Sequence, residues 1–350
     1  MNLSHRRKKA GSRSRGFSLI ELMVSMGILS VLMLMMTALL DQVQRSWRYS
    51  ESRISQFREA RVAFDLITKN IGQASLNTYW DLNDDDNDGL VDGYFKTSEL
   101  HFITLDAATM NGTGEQQGVG HAVFFQAPLG FSTDYRNLNN LFNGRGYFAS
   151  FGSDRLYRPS FINSPPRYRF RIMEFRPPAE SNQVFEDGKE ERINNSPQEF
   201  TEWYKQSLSI GQGSFESHLN PLADNIIALV ISPRDALESA VGSRDATYSN
   251  IAPSYVFDSN STDPSFEGYS QQVPPLLRIT MIAIDEASAV RFENGTTMPN
   301  EFRDATQGLF KSTRQYNDDI RALTQTLNDQ KINHKVFSSL VMLRSSKWGS

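Results

Sequence analysis

Among its 350 residues the sequence has no cysteine, which excludes a disulfide framework, a thiolate-held zinc or iron-sulfur site, a thiol nucleophile and a lipoprotein anchor together. Its five histidines, His5, His101, His121, His218 and His334, form neither an HExxH motif nor a short HxH pair, so little remains for a zinc hydrolase. A basic excess is also lacking. The 36 basic and 40 acidic side chains give a formal charge of −4, which argues against a nucleic-acid partner. Proline is absent from residues 1 to 127, and Gly72 is the only glycine between Gly27 and Gly89. That stretch therefore carries almost no helix breaker. Hydrophobic content is adequate: 39%, with 23 Phe and 12 Tyr, is enough to build a core of one large domain or two average ones.

What is present is concentrated at the start. Residues 1 to 15 hold Arg6, Arg7, Lys8, Lys9, Arg13 and Arg15 and no acid. Without these six cations the remaining chain has 30 basic against 40 acidic side chains, a formal charge of −10. From Leu22 to Leu40 the 19 residues include no charge, close to the ~20 needed to cross ~30 Å of hydrocarbon. A basic leader, an apolar run and an acidic remainder read as a single inner-membrane span with its N-terminus cytoplasmic and its C-terminal part exported to the periplasm. The run exceeds a cleavable signal core, and no small-x-small site follows it. Twin-arginine export fits poorly because Lys8 and Lys9 follow Arg6 and Arg7.

Glu21 stands out, because a carboxylate at the edge of an apolar helix costs about 2 to 3 kcal/mol on insertion scales. The local string Arg15-Gly16-Phe17-Ser18-Leu19-Ile20-Glu21-Leu22 resembles the class III signal of type IV prepilins and pseudopilins: a basic leader ending in Gly, then Phe, then Glu at the fifth mature position. The resemblance implies that a prepilin peptidase/methyltransferase cuts after Gly16 and methylates the new N-terminus at Phe17. It also implies that Glu21 sets register in assembly, pairing with the Phe17 amine of a neighbouring pilin or pseudopilin, since a buried carboxylate is tolerated when paired.

Beyond Leu40 the chain turns polar without a breaker. Trp47, Ser50, Ile54, Phe57, Ala60, Phe64, Ile67, Ile71 and Ala74 recur at steps of three and four, one face of a helix. A single helix from about Phe17 to Leu76 is expected, roughly 90 Å long at 1.5 Å per residue, with a transmembrane part over 17–40 and an amphipathic continuation over 41–78. The exported part is then 79–350. At its start, Asp84-Asp85-Asp86-Asn87-Asp88-Gly89-Leu90-Val91-Asp92 fits DxDxDGxxD. Asp84, Asp86, Asp88 and Asp92, with the Leu90 carbonyl, would wrap a calcium ion (Ca2+) as oxygen ligands. Position twelve is Phe95 rather than Glu, so a modest affinity is expected. Without disulfides, such a metal clip would staple the loop.

After residue 93, β-branched and aromatic runs alternate with Gly, Asn, Ser and Pro. Strands are expected at 99–105, 121–127, 147–151, 168–175, 226–232, 276–284 and 336–343, with long connections at 106–120, 128–146, 177–222 and 233–272. A late helix is expected at 318–331. The fold class is α+β, pilin-like: a long N-terminal helix packed on a mostly antiparallel sheet. The segments Leu222–Ile227 and Pro274–Thr280 resemble paired sheet segments of large minor pilins of the PilW type and of J-type pseudopilins (GspJ) of type II secretion. Phe57–Asp65, Ala74–Asp81 and the ending with Val336-Phe337 and Lys347-Trp348 resemble the Verru_Chthon cassette protein C family, which implies no particular activity.

Enzyme motifs are weak. Gly112, Gly114 and Gly118 read as a loop without phosphate-binding context, His101 and His121 read as strand residues, satisfied core or surface histidines rather than catalysts, and residues 186–192 as a solvated charged face. Asp258, Asp263 and Glu267 form a second acidic loop without regular metal-ligand spacing. The function expected is structural, not enzymatic. The chain reads as a minor pilin-like subunit of a type IV pilus, at low stoichiometry or at the tip. The alternatives are a secretion pseudopilin and a membrane-tethered binding domain that is never assembled.

Overall fold

The computed structural model describes residues 18–83, 89–110, 116–135, 138–155, 157–158, 161–181, 203–209, 218–235, 249–261, 269–293, 295–306 and 308–346. They fall into two compact units, residues up to Ile54 and residues from Ser55 onward. Helix α1 runs from Leu19 to Ile71, as the lack of Pro and the near-absence of Gly demand. From Leu19 to Trp47 it is exposed on every side, and that stretch is long and apolar enough to cross a membrane.

In the second unit α1 has an inside and an outside. Ala60, Ala63, Phe64, Ile67 and Ile71 are buried, and Phe57 packs beside them, which is the expected stripe from Phe57 onward. Two points differ from expectation. Trp47 is 70% exposed, and the side chains of Ser50 and Ile54 lie outside the described residues. The helix also stops at Ile71 rather than near Leu76; Gly72 follows, and Ala74 and Leu76 are buried as irregular chain.

Eleven strands follow among the described residues: β1 (Tyr79–Asn83), β2 (Gly93–Thr97), β3 (Ile103–Asp106), β4 (Gln117–Phe131), β5 (Asn139–Ser153), β6 (Tyr168–Phe175), β7 (Leu219–Asp224), β8 (Ile226–Arg234), β9 (Phe257–Asp258), β10 (Leu276–Ile284) and β11 (His334–Met342). Four helices lie among or after them: α2 (Trp203–Ser209), α3 (Glu286–Arg291), α4 (Asn300–Thr306) and α5 (Tyr316–Asp329). All strand pairs are antiparallel. They make a six-stranded sheet in the order β7-β6-β5-β4-β3-β9, a three-stranded sheet β11-β10-β8, and the separate ribbon β1-β2.

Side-chain alternation divides the interior. In β4 and β5, Val123, Phe125, Tyr147 and Ala149 join the α1 layer, whereas Ala122, Phe124 and Phe148 face the opposite way, onto Trp203 and Tyr204 of α2. In β10, Leu277, Ile279, Met281 and Ala283 face α1, while Ile282 and Ile284 share a cluster with Leu323 and Leu327 of α5. Both faces of β8 and β10 are therefore covered. That is why these strands read as continuous apolar runs rather than alternating ones, and each fully buried aliphatic side chain contributes about 1.5 to 3 kcal/mol.

The two large sheets meet at two special residues. Asn225 has a left-handed backbone, φ 64°, which Asn tolerates better than most residues. Its N–H donates to Phe170 of β6 at 2.7 Å, and its carbonyl accepts from Ile284 of β10 at 2.9 Å. The chain thereby leaves one sheet and enters the other within a residue. Gly120, at φ +71°, lies so close to β8 that a Cβ there would sit 2.5 Å from the Leu229 carbonyl oxygen, a position only glycine accepts.

Several expected loops are ordered. The 128–146 connection is instead taken up by the long β4–β5 hairpin, whose strands end at Phe131 and begin again at Asn139. Pro128 hid it, yet it sits at a bulge between Ala127 and Gly130, where a missing N–H is tolerated. Gly118 likewise lies in β4, while Gly112 and Gly114 fall outside the described residues. The 177–222 stretch contains α2 and the edge strand β7 with Pro221, and the rest of that connection is partly outside the described residues, including 186–192. The segment Leu222–Ile227 is split between β7 and β8, and it is β8 that pairs with β10.

Candidate functional site

The processing residues Gly16 and Phe17 lie outside the described residues; the helix they precede does not. Ser18 stands before the first turn of α1 and Glu21 within it. The Glu21 N–H donates to Ser18 Oγ at 3.3 Å, and the Ser18 N–H donates to Glu21 Oε2 at 3.0 Å. This reciprocal pair is a capping box. It satisfies two of the donors that a helix N-terminus leaves open, and it places a carboxylate where the helix dipole favours negative charge. The Ser-x-x-Glu spacing ahead of an apolar run was visible in the sequence. The cost of Glu21 in the membrane span and its expected pairing with a neighbour's amine leave this local role unaccounted for.

Further along, the polar side chains of the apolar segment are satisfied without partners from elsewhere. Ser25, Ser30 and Thr37 donate to the carbonyls of Leu22, Met26 and Met33 at 2.8 to 2.9 Å, the back-bonding that lets hydroxyls reside in apolar helices. The segment therefore presents an apolar cylinder whose one carboxylate is held at its N-terminal end.

The aspartate-rich segment falls between β1 and β2, whose last pair is Asn83 with Gly93. Asp84, Asp86 and Asp88 lie outside the described residues, whereas Leu90 and Asp92 are exposed. Among the described residues no group of three or more His, Asp or Glu is placed to hold a metal ion. In the second acidic loop Asp263 and Glu267 are outside the description, and Asp258 is engaged elsewhere.

That engagement settles the histidines. His101 is fully buried; its Nε2–H donates to Asp258 Oδ1 at 2.6 Å, and its Nδ1 accepts from Trp203 Nε1–H at 3.1 Å. Burial pulls the Asp258 carboxyl upward, but the His101 bond and charge and the Asn260 N–H outweigh it and hold the carboxyl low. His121 joins the sheets: Nδ1 accepts from Ile231 N–H and Nε2–H donates to the Phe310 carbonyl, both at 3.2 Å. Burial pushes its pKa down to about 4, with the Lys311 charge helping and the Phe310 carbonyl and Asp106 opposing. Both rings are core struts: His121 lies in β4 as expected, whereas His101 stands in the irregular chain two residues before β3 rather than within a strand.

Two polar networks were not legible in the sequence. Asn70 of α1 donates to Tyr147 Oη at 2.7 Å, and that hydroxyl donates to Glu174 Oε1 at 2.8 Å, fastening α1 to β5 and β6. Arg169 is held by Glu286 at 2.7 Å and Glu293 at 3.0 Å, and Arg171 by Asp224 at 3.0 Å, bracing the join of the two sheets. Every partner lies on a different element, so no spacing along the chain reveals them.

With that geometry in place, the comparisons with known proteins bear on one segment. Residues 11–37 match the prokaryotic N-terminal methylation motif. The chain thus carries a type IV pilin-like class III signal at its N-terminus, covering Gly16, Phe17, Ser18 and Glu21. The motif implies processing by a prepilin peptidase and assembly with other pilins, and with the apolar α1 segment it fits a membrane-anchored, exported protein. No curated protein and no solved structure matches the chain. The layout of a long apolar helix followed by mostly antiparallel sheets is α+β and pilin-like.

Proposed function

We propose that the protein is a minor, pilin-like structural subunit of a type IV pilus, cut after Gly16, methylated at Phe17 and assembled through α1. The observation that carries this reading is the methylation motif at 11–37 laid over a helix whose Leu19–Trp47 segment is apolar and exposed on all sides. Such a surface requires lipid or other helices around it. The large exported domain favours low stoichiometry or a tip position, because its bulk would crowd a filament at every step. Co-expression with a prepilin peptidase, followed by intact-mass measurement, tests the first step. The expected product begins at N-methylated Phe17, and an uncut chain beside an active peptidase overturns the reading.

Glu21 serves two purposes in this reading, capping its own helix and pairing with a neighbour's amine. Glu21→Gln separates them, since Gln also completes a capping box but carries no charge. Membrane insertion should persist with Gln while assembly is lost; a chain that is inserted but assembles normally as Glu21→Gln would leave capping as the only role.

We also propose that the β1–β2 loop takes calcium through Asp84, Asp86, Asp88, Asp92 and the Leu90 carbonyl. Support comes from the oxygen spacing and from the antiparallel pair Asn83–Gly93, which brings the loop ends together. Calcium at millimolar concentration should slow proteolysis between β1 and β2, and Asp86→Asn with Asp88→Asn should remove that protection.

A further inference from the structure

In the two large sheets three of the four edges are closed. Strand β9 is two residues long, and β7 carries Pro221 at a register shift. Strand β8 is plugged from β4, whose His121 Nδ1 accepts the Ile231 N–H and whose Gly120 lies against the Leu229 carbonyl. These are ways in which a protein keeps a row of unpaired backbone groups from acting as a template. Strand β11, the other edge of the smaller sheet, has none of them. It is nine residues long, has neither Pro nor Gly, pairs with β10 without a bulge and bears a single Lys, Lys335. None of its residues is buried, whereas every residue of β8 is.

Bond alternation shows which of its backbone groups face outward. The ladder with β10 continues at both ends: the Leu343 N–H donates to the Pro275 carbonyl and the Asp285 N–H to the Asn333 carbonyl, each at 3.0 Å. Bonded and non-bonded pairs alternate in an antiparallel ladder. With the register unbroken from Leu276–Met342 to Ile284–His334, the odd-numbered residues of β11 therefore bond to β10. The even-numbered ones, His334, Val336, Ser338, Leu340 and Met342, turn N–H and C=O to the open side, where no backbone bond from another described segment reaches them. On β10 the Ile284 N–H donates the other way, to the Asn225 carbonyl just before β8, as the same alternation requires.

We propose that this edge pairs antiparallel with β11 of a second copy of the chain, about a two-fold axis at Ser338. The open set is itself symmetric about Ser338, so this register pairs every member: His334 with Met342, Val336 with Leu340, and Ser338 with its own counterpart. The opposed side chains fit. Leu340 and Met342, 47% and 68% exposed, gain Val336 and His334 of the other copy, Phe337 meets Ser339, and Lys335 meets Val341, so no charge faces a like charge. Backbone bonds alone would accept any extended strand; the symmetric open set and the uncharged pairing commit this edge to its own kind. The sheet β8-β10-β11 then runs on into β11-β10-β8 of the other copy, and the contact, being isologous, closes at two copies. The proposal does not rest on the pilus reading, since the contact is between folded domains and is readable in detergent.

The cysteine-free sequence makes the test direct. Full-length proteins carrying Ser338→Cys or Met342→Cys are purified in detergent and treated with a short bismaleimide. Ser338→Cys should give a covalent dimer, because its two copies face each other. Met342→Cys, although on a more exposed residue, should give little, because its two copies lie eight residues apart along the strand, about 27 Å at ~3.4 Å per residue. A mixture of His334→Cys and Met342→Cys proteins should link again. Leu340→Pro, added to Ser338→Cys, removes an outward N–H and leaves the β10 ladder intact; it should lower the dimer yield about tenfold through the hydrogen bonds lost on both sides of the axis, with the denaturant midpoint of the domain unchanged. No dimer from Ser338→Cys, equal dimer from Met342→Cys alone, or a Ser338→Cys link in membranes only to a different protein would each overturn the proposal, and these outcomes are read whether or not the proline variant folds.

Discussion

The two units of this protein use apolar residues in opposite ways. In the first, between Leu19 and Leu40, α1 displays Leu, Met, Ile and Val on every side and none of them is buried; in the second, the same helix turns Ala60, Phe64, Ile67 and Ile71 inward and leaves charged residues outside. One part is shaped by a medium it must enter, the other by its own sheets. The contrast teaches that a continuous helix can carry two unrelated design rules, and that the change from one to the other is written in where the apolar residues stop circling the helix and settle on one face.

Paired substitutions sharpen that contrast. Ile67→Ala should lower the unfolding free energy of the folded domain by about 3 to 4 kcal/mol, because Ile67 is wholly buried, whereas Leu29→Ala should leave it unchanged; denaturant titration with a probe in the domain reads both. Gly120→Ala should cost about 2 to 3 kcal/mol, from its left-handed backbone and the Leu229 carbonyl. Gly27→Ala should cost nothing, as nothing lies within 4 Å of a Cβ there. Another effect depends on pH. His121 is neutral in the fold with its pKa held down to about 4 against an ordinary 6.5, so the unfolded chain takes up its proton first. The stability is intact above about pH 6.5 and falls by about 1.4 kcal/mol per pH unit as pH drops toward 4. His121→Gln should flatten that slope, and an unchanged slope would rule out His121 as its source. Smallest, Asn70→Ala should cost about 1 kcal/mol, since the Tyr147 hydroxyl keeps its bond to Glu174.

Legibility in the sequence followed the range of the interactions. The strands β6 and β10 were readable to the residue, because dense β-branched and aromatic runs end in clear punctuation. The late helix α5 was readable within two residues from the spacing of Ile320, Leu323 and Leu327. The ribbon β1–β2 was missed because its two short strands flank an aspartate-rich segment that reads as loop. The long β4–β5 hairpin was missed because Pro128 looks like a breaker until a bulge accommodates it. The short helices α3 and α4 carry too little pattern of their own; Phe302 of α4, for instance, is fixed by its rings against Phe170 and Phe292.

For the functional segment the balance is reversed. The leader, the Gly16-Phe17 junction, the capping box and the uncharged span are all local, so the sequence by itself determined the processing signal and the membrane character. It also determined that α1 carries an inner face in its second half, although it started that face at Trp47, which the structure leaves exposed. Tertiary structure alone decided that there are two sheets rather than one, with Asn225 passing the chain between them and His121 pinning them together. It alone paired Asn70 of α1 with Tyr147 and Glu174 of the sheet. The reason is physical: helix caps and hydrophobic periodicity involve residues within one or two turns of each other, whereas sheet order and buried polar bonds arise between residues that only folding brings together.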